Sequence, residues 1–328
     1  MTEQFRTTIE TPQFPFKIGY KDNIMFLGSC FTNSIGLKLK DLKFNADINP
    51  FGILYNPISM KQSLEILTKG KLYTEKDLFE HSEMWHSFNH HSKFSGTNLE
   101  YTLKVINDRI TKSSNNLKDA DFLFITFGTA FAFEHKKTGK IVSNCHKLPS
   151  SEFKNYMLNA DLITVEYFQL LNVLKNLNPE LKIVFTVSPI RHIKDGLIKN
   201  RESKSTLFVA IQQIMDHFEN TFYFPAYEIM IDDLRDYRFY TADMLHPSET
   251  AIKYIMDIFA DSFFDDKTKK IKAEVEKINR AVAHRILNPG TKAASDFRKN
   301  SYETVLRLEK EYPFLDFGFE KSNFQPAK

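Results

Sequence analysis

Ile24-Met25-Phe26-Leu27-Gly28-Ser29-Cys30-Phe31 is an apolar run that breaks at Gly-Ser and passes at once into a helical pattern. Ile24 to Leu27 has the unbroken apolarity of a strand buried on both faces. Beyond it, Ile35, Leu37, Leu39 and Leu42 recur among Lys38, Lys40 and Lys43. A strand that ends in this way puts a small hydroxyl side chain at the mouth of a helix. The leading N–H groups there have no intrahelical acceptor and favour a developing negative charge. Ser29 is therefore a candidate nucleophile.

The same alternation continues along the chain. A weak strand at Phe44 to Ile48 exits through Asn49-Pro50-Phe51-Gly52, and helical spacing follows over Ser59–Leu67 and Leu99–Ile110. Residues 70–98 between them hold only short candidate strands or a lid. Asp121-Phe122-Leu123-Phe124-Ile125-Thr126-Phe127-Gly128 is the clearest buried strand. Phe131–Glu134 and Lys140–Val142 then flank a turn and predict a hairpin insertion. A helix from about Glu166, a strand over Lys182–Ser188, a helix over Thr206–Phe218 and a short strand at Phe222 complete the series. Ser248 is placed to cap a helix through Phe259. Strands alternating with helices predict an α/β fold with a mostly parallel, doubly wound sheet, whose ligands sit beyond the carboxyl ends of the strands.

The expected organisation is one domain over 20–265, with insertions near 70–98 and 129–149, and a C-terminal helical extension over 266–328. Residues 1–22 read as an irregular leader lying on the domain. In the extension, Ile271, Val275, Ile278 and Val282 form one stripe of a charged amphipathic helix, which packs on the domain or on a second copy. Residues 291–328 read as a loosely attached tail.

The chain has 328 residues, 31 of them Phe and one Trp, which predicts an aromatic core. A net charge of +3 with interleaved Lys and Glu gives no footprint for nucleic acid. Two cysteines make no disulfide framework, no apolar run is long enough for a membrane span, and the first residues lack a signal-peptide layout. A cytoplasmic location is expected, with no membrane partner. Oligomeric state is left open.

Asp243-Met244-Leu245-His246-Pro247 supplies what Ser29 lacks. His246 can take the serine proton while Asp243 orients the imidazole and stabilises its charged form. Cys30 is the rival nucleophile, though the residue after an inward-pointing Ser29 is expected to be a small core group. His86, His90 and His91 invite a metal reading, but their segment lacks a stable helix. They are assigned instead to a pocket rim or to backbone and water contacts, and neither metal nor organic cofactor is expected. His146, Arg191 and His192 follow strands or the hairpin as substrate contacts, with Arg191 suited to an anion, or equally as ordinary strand-end pairs.

Gly28-Ser29-Cys30-Phe31 and Asp243-Met244-Leu245-His246-Pro247 together resemble the GSCFA family, which is grouped with the SGNH/GDSL hydrolases. Asn49-Pro50-Phe51-Gly52, Phe127-Gly128-Thr129-Ala130, Asn144-Cys145-His146-Lys147-Leu148-Pro149 and Ser188-Pro189-Ile190-Arg191-His192 extend the likeness over about residues 20–260. The resemblance implies a flavodoxin-like three-layer α/β/α sandwich with a Ser29-His246-Asp243 triad, Gly52 giving a backbone N–H to the oxyanion. Where the superfamily carries Gly-x-Asn-Asp, this chain has Gly128-Thr129-Ala130 and no Asn. Thr129 or, by preference, Asn144 is expected to fill that place. The implied activity is hydrolysis of a small acyl ester, the partner being a small-molecule substrate. An acyltransferase using the same triad and a non-catalytic binding module are the alternatives. No wide apolar surface is evident in the sequence, which favours small soluble esters.

Overall fold

The apolar runs become strands because both of their faces have to be covered. The computed structural model describes residues 6–325. Five strands, β1 (Ile24–Gly28), β2 (Ala46–Ile48), β3 (Phe122–Phe127), β4 (Lys182–Val187) and β5 (Thr221–Tyr223), form one parallel sheet in the order β2-β1-β3-β4-β5. The register sets Gly28 opposite Thr126 and Thr126 opposite Thr186, so the carboxyl ends of β1, β3 and β4 line up.

Successive residues feed two separate cores. Ile24, Phe26, Phe124 and Val184 face one side, against α1 (Cys30–Asp41) and α6 (Glu249–Phe263). Met25, Leu27, Ile125 and Phe185 face the other, against α2 (Pro57–Lys69), α3 (Leu99–Lys118), α4 (Ala160–Leu177) and α5 (Leu197–Met215). The result is a three-layer α/β/α sandwich. The abundant phenylalanines build the first core: Phe26 stacks on Phe124 at 4.8 Å, and Phe259 meets Phe263 at 4.6 Å. The leader contributes Phe14, stacked on Phe263 at 4.3 Å, while its residues 1–5 lie outside the described residues.

Two insertions stand off the sheet. Phe79–His81 and Met84–His86 pair as a small antiparallel hairpin. Phe131–His135 pairs with Lys140–Val142 as the hairpin reading predicts, and also with Phe153–Met157. That third strand escaped the sequence because four of its five residues are exposed or half-buried, so it shows no apolar run. His90 and His86 of the first insertion are held by neighbouring side chains and backbone. His90 is buried among Phe51, Tyr73 and Phe94, with Nδ1 on Ser87 Oγ at 2.9 Å. His86 spends both ring nitrogens, on Ser95 Oγ and the His81 carbonyl. Among the described residues, no three His, Cys, Asp or Glu side chains are grouped to hold a metal ion.

The tail is a correction. α7 (Asp266–Ala283) buries Ile271, Val275 and Ile278 as its stripe predicts, but residues beyond 291 are not loose. They form α8 (Lys292–Glu311) and α9 (Gly318–Phe324), which send Val305, Leu308 and Phe324, with Phe317 just before α9, into the same core as α1 and α6. The buried positions are too few per turn, among many charges, to announce a docked helix.

Leu308 is wholly buried, so Leu308→Ala should cost about 2–4 kcal/mol in urea unfolding, where a loose tail would cost almost nothing. A second expectation concerns acid. Burial, reinforced by His146, pulls His90 down to about 3, and burial together with nearby His86 and His91 pulls His146 down to about 4. Below pH 6.5 the unfolded chain protonates these rings while the folded chain does not. Stability should therefore drain away as pH falls from about 6.5 towards 4, by at most about 1.4 kcal/mol per pH unit for each ring. His90→Phe, which fits the aromatic nest and cannot titrate, should flatten that slope in melting curves; an unchanged slope would clear His90 of the effect.

Candidate active site

Ser29 occupies the N-cap of α1, where a serine ordinarily bonds back to its own helix. It makes no such bond. Its side chain is buried and its Oγ has no hydrogen-bond partner among the described residues. The backbone before it explains the placement. Gly28 has φ +149°, and a Cβ there would stand 2.5 Å from the Thr126 carbonyl oxygen, so no larger residue fits. Its N–H donates to Asn49 Oδ1 at 2.8 Å, and Leu54 N–H donates to its carbonyl at 3.0 Å.

His246 and Asp243 come from the loop between β5 and α6. Asp243 Oδ2 accepts from His246 Nδ1 at 2.6 Å, which leaves Nε2 as the unprotonated nitrogen. Asp243 Oδ1 accepts from the N–H groups of His246 and Leu245 and from the Thr241 hydroxyl. These bonds, the two backbone donors first and the imidazole last, hold the Asp243 carboxyl well below the usual carboxylate range although it is exposed. The loop is pinned where Thr241 N–H donates to the His246 carbonyl and Met244 takes φ +61°.

Ser29 and His246 line one cavity of about 380 Å³ with Cys30, Tyr55, Ser188 and Arg191. Ser29 Oγ is itself buried, and no hydrogen bond joins it to His246. Cys30 is not the core group the sequence predicts: it is half-buried and lines the cavity, its Sγ 3.6 Å from Tyr55 Oη. Arg191 is also in the lining, its Nη1 donating to Tyr240 Oη at 2.7 Å.

Four other expected site residues stay outside. Gly52 spends its N–H on the Asn49 carbonyl at 2.8 Å, closing a tight turn against His91, so it is not free to serve an oxyanion. Thr129 turns its hydroxyl to Ser203 Oγ at 3.0 Å and receives the Phe131 N–H, a turn hydroxyl within the core. Asn144 folds its own Oδ1 onto the His146 N–H at 2.8 Å. His146 Nε2 donates to the Ser87 carbonyl at 2.8 Å inside the insertion. None of the four lines the cavity.

Three supporting residues were not read from the sequence. Asn49 takes φ +46°, fixes Gly28 through Oδ1 and leaves its buried Nδ2 without a partner among the described residues. Tyr55 presents its carbonyl to both Gly128 and Thr129 N–H groups, at 2.8 and 3.0 Å. Lys204 is buried in α5, and its Nζ donates to the Gly128 and Ser188 carbonyls at 2.6 and 2.7 Å, which ties the ends of β3 and β4 together. Burial, with Arg191 nearby, pulls its ammonium down to about 7. The polar run around Lys204 reads as a solvated helix face, so nothing marks it; Asn49, by contrast, stands in a stretch already singled out.

The chain resembles, at the level of structure, an acetyl xylan esterase (Est2A) from the rumen bacterium Butyrivibrio proteoclasticus, with 11% sequence identity and a TM-score of 0.37. That alignment covers 74% of this chain and 63% of the other, so this chain spans less than two thirds of its length. No curated protein matches the chain. Residues 275–326 match the C-terminal domain of GSCFA domain proteins, the region in which α8 and α9 dock. Residues 23–259, the whole sheet with its flanking helices up to α6, match the GSCFA family, and the chain belongs to that family.

Proposed function

We propose that the protein is a serine esterase of the SGNH/GDSL type, acting on a small acyl ester through Ser29, His246 and Asp243. The observation that carries this reading is a serine at a helix N-cap whose hydroxyl declines to cap. The residue lines a cavity together with His246, an imidazole held in the base-competent tautomer by a carboxylate.

The chemistry follows from those groups. His246 Nε2 accepts the Ser29 hydroxyl proton as Oγ bonds to the ester carbonyl carbon, and the charged imidazole is stabilised by Asp243. The tetrahedral intermediate collapses with cleavage of the carbon–oxygen bond to the alcohol, which leaves with the proton from His246. Water then repeats the sequence on the acyl-serine, giving the acid and free Ser29. An alcohol in place of water makes the same site an acyltransferase. The Ser29–His246 hydrogen bond forms in the substrate complex, since such bonds are commonly long in the free enzyme.

Negative charge on the carbonyl oxygen falls near the first turn of α1, whose leading N–H groups have no helical acceptor. No side-chain amide lines the cavity to join them. An oxyanion site short of one donor gives up about 10²–10³ in rate, so modest turnover is expected.

A fluorophosphonate probe with mass spectrometry tests the assignment. The adduct should sit on Ser29, disappear in Ser29→Ala and form at least about a hundredfold more slowly in His246→Ala and Asp243→Asn. Well-folded protein that takes no adduct would sink the hydrolase reading. An adduct on Cys30 would transfer the nucleophile's role to that thiol.

A further inference from the structure

Arg191 stands at a junction. The cavity containing Ser29 shares Arg191, Ile193 and Leu245 with a second, outer cleft of about 640 Å³. The outer walls set exposed apolar side chains beside Arg235 and Asp236: Leu197 is 62% exposed, Tyr237 75% and Met244 50%. Large apolar side chains gathered in one cleft, rather than scattered singly, mark a surface that receives something.

The charges at this junction are unbalanced. Arg191 and Lys194 line the inner cavity, and no Asp or Glu does. Among the described residues neither cation makes an ion pair. Among the described residues the only acceptor for the Arg191 guanidinium is Tyr240 Oη, which leaves most of its fork of donors unused. The acidic residue of the outer cleft, Asp236, is already engaged by Arg238 at 2.9 Å. Tyr240 belongs to the same loop as Asp243 and His246, so Arg191 is braced against the loop that carries that pair.

Building on the esterase reading, we propose that the substrate's alcohol portion carries a carboxylate bound by Arg191, with its apolar body lying in the outer cleft. The inner cavity has room for a small acyl group at Ser29. The larger part of the ester then passes Arg191, where an unpaired guanidinium recognises a planar carboxylate through two parallel hydrogen bonds. This replaces the expectation of small, simple esters with amphipathic ones bearing a single anionic group.

The test uses 3-acetoxybenzoate and its neutral methyl ester with wild type, Arg191→Gln and Arg191→Lys, each checked for an unchanged melt. The readout is the ratio of kcat/KM for the anionic over the neutral ester, in which intrinsic reactivity cancels between variants. That ratio should fall at least about tenfold in Arg191→Gln, mainly through KM, and recover in part in Arg191→Lys. An unchanged ratio in folded Arg191→Gln overturns the proposal. Fluorophosphonate labelling of the same samples separates the two readings: Ser29 labelled with an unchanged ratio sinks only the carboxylate site. If Ser29 does not label, the esterase reading falls. The carboxylate site is then judged by 3-hydroxybenzoate, which should raise the melting temperature of wild type but not of Arg191→Gln. No shift, or a shift with inorganic phosphate alone, overturns it.

Discussion

Everything at the candidate site depends on how closely two strands approach at Gly28. Where β1 passes the Thr126 carbonyl there is no space for a β-carbon, and the left-handed backbone excludes other residues a second time. Asn49 then grips the Gly28 N–H from the other neighbouring strand. Held from both sides, the chain has one way to leave the sheet, and Ser29 leaves it with its hydroxyl turned away from its own helix. The position of Ser29 is thus a property of the sheet's centre.

The remaining strand ends are fastened by different means. Lys204 joins the carbonyls that finish β3 and β4, and the Tyr55 carbonyl collects the next two N–H groups of the β3 exit. Each contact satisfies a backbone group that would otherwise be stranded at low dielectric. In the cavity floor the carbonyls of Gly128 and Ser188 and the N–H groups of Gly128, Thr129 and Ser188 are each partnered. The same satisfaction explains why Gly52, Thr129 and Asn144 contribute nothing to the cavity. The Gly52 N–H, the Thr129 hydroxyl and the Asn144 Oδ1 are each engaged in the turns that surround it.

How much of this could be read from the sequence follows from the range of the interactions. The strands of the parallel sheet and their helices were legible because period and apolarity are local. Ser29 was legible because a Gly-Ser break after an apolar run has few other uses. Asp243 and His246 were legible as a pair because they lie three residues apart. What needed a hydrogen-bond map was illegible: which N–H of the Asn49–Gly52 turn is free, which way Thr129 rotates, whether Cys30 faces the core or the cavity. Lys204 was hidden because its partners are backbone carbonyls at residues 128 and 188, which carry no side-chain signature. The docked tail was hidden because α8 and α9 bury few positions each, and only their sum fills the surface beside α7.

The site also joins two parts of unequal tenacity. Ser29 sits buried at the end of a fully buried strand, whereas Asp243 and His246 ride on an exposed turn held by a handful of hydrogen bonds. Segments with few buried contacts open at a small fraction of the free energy that unfolds the core. Heating should therefore open the Asp243–His246 turn well before the fold melts. The temperature at which the candidate site comes apart and the temperature at which the protein unfolds are set by different residues.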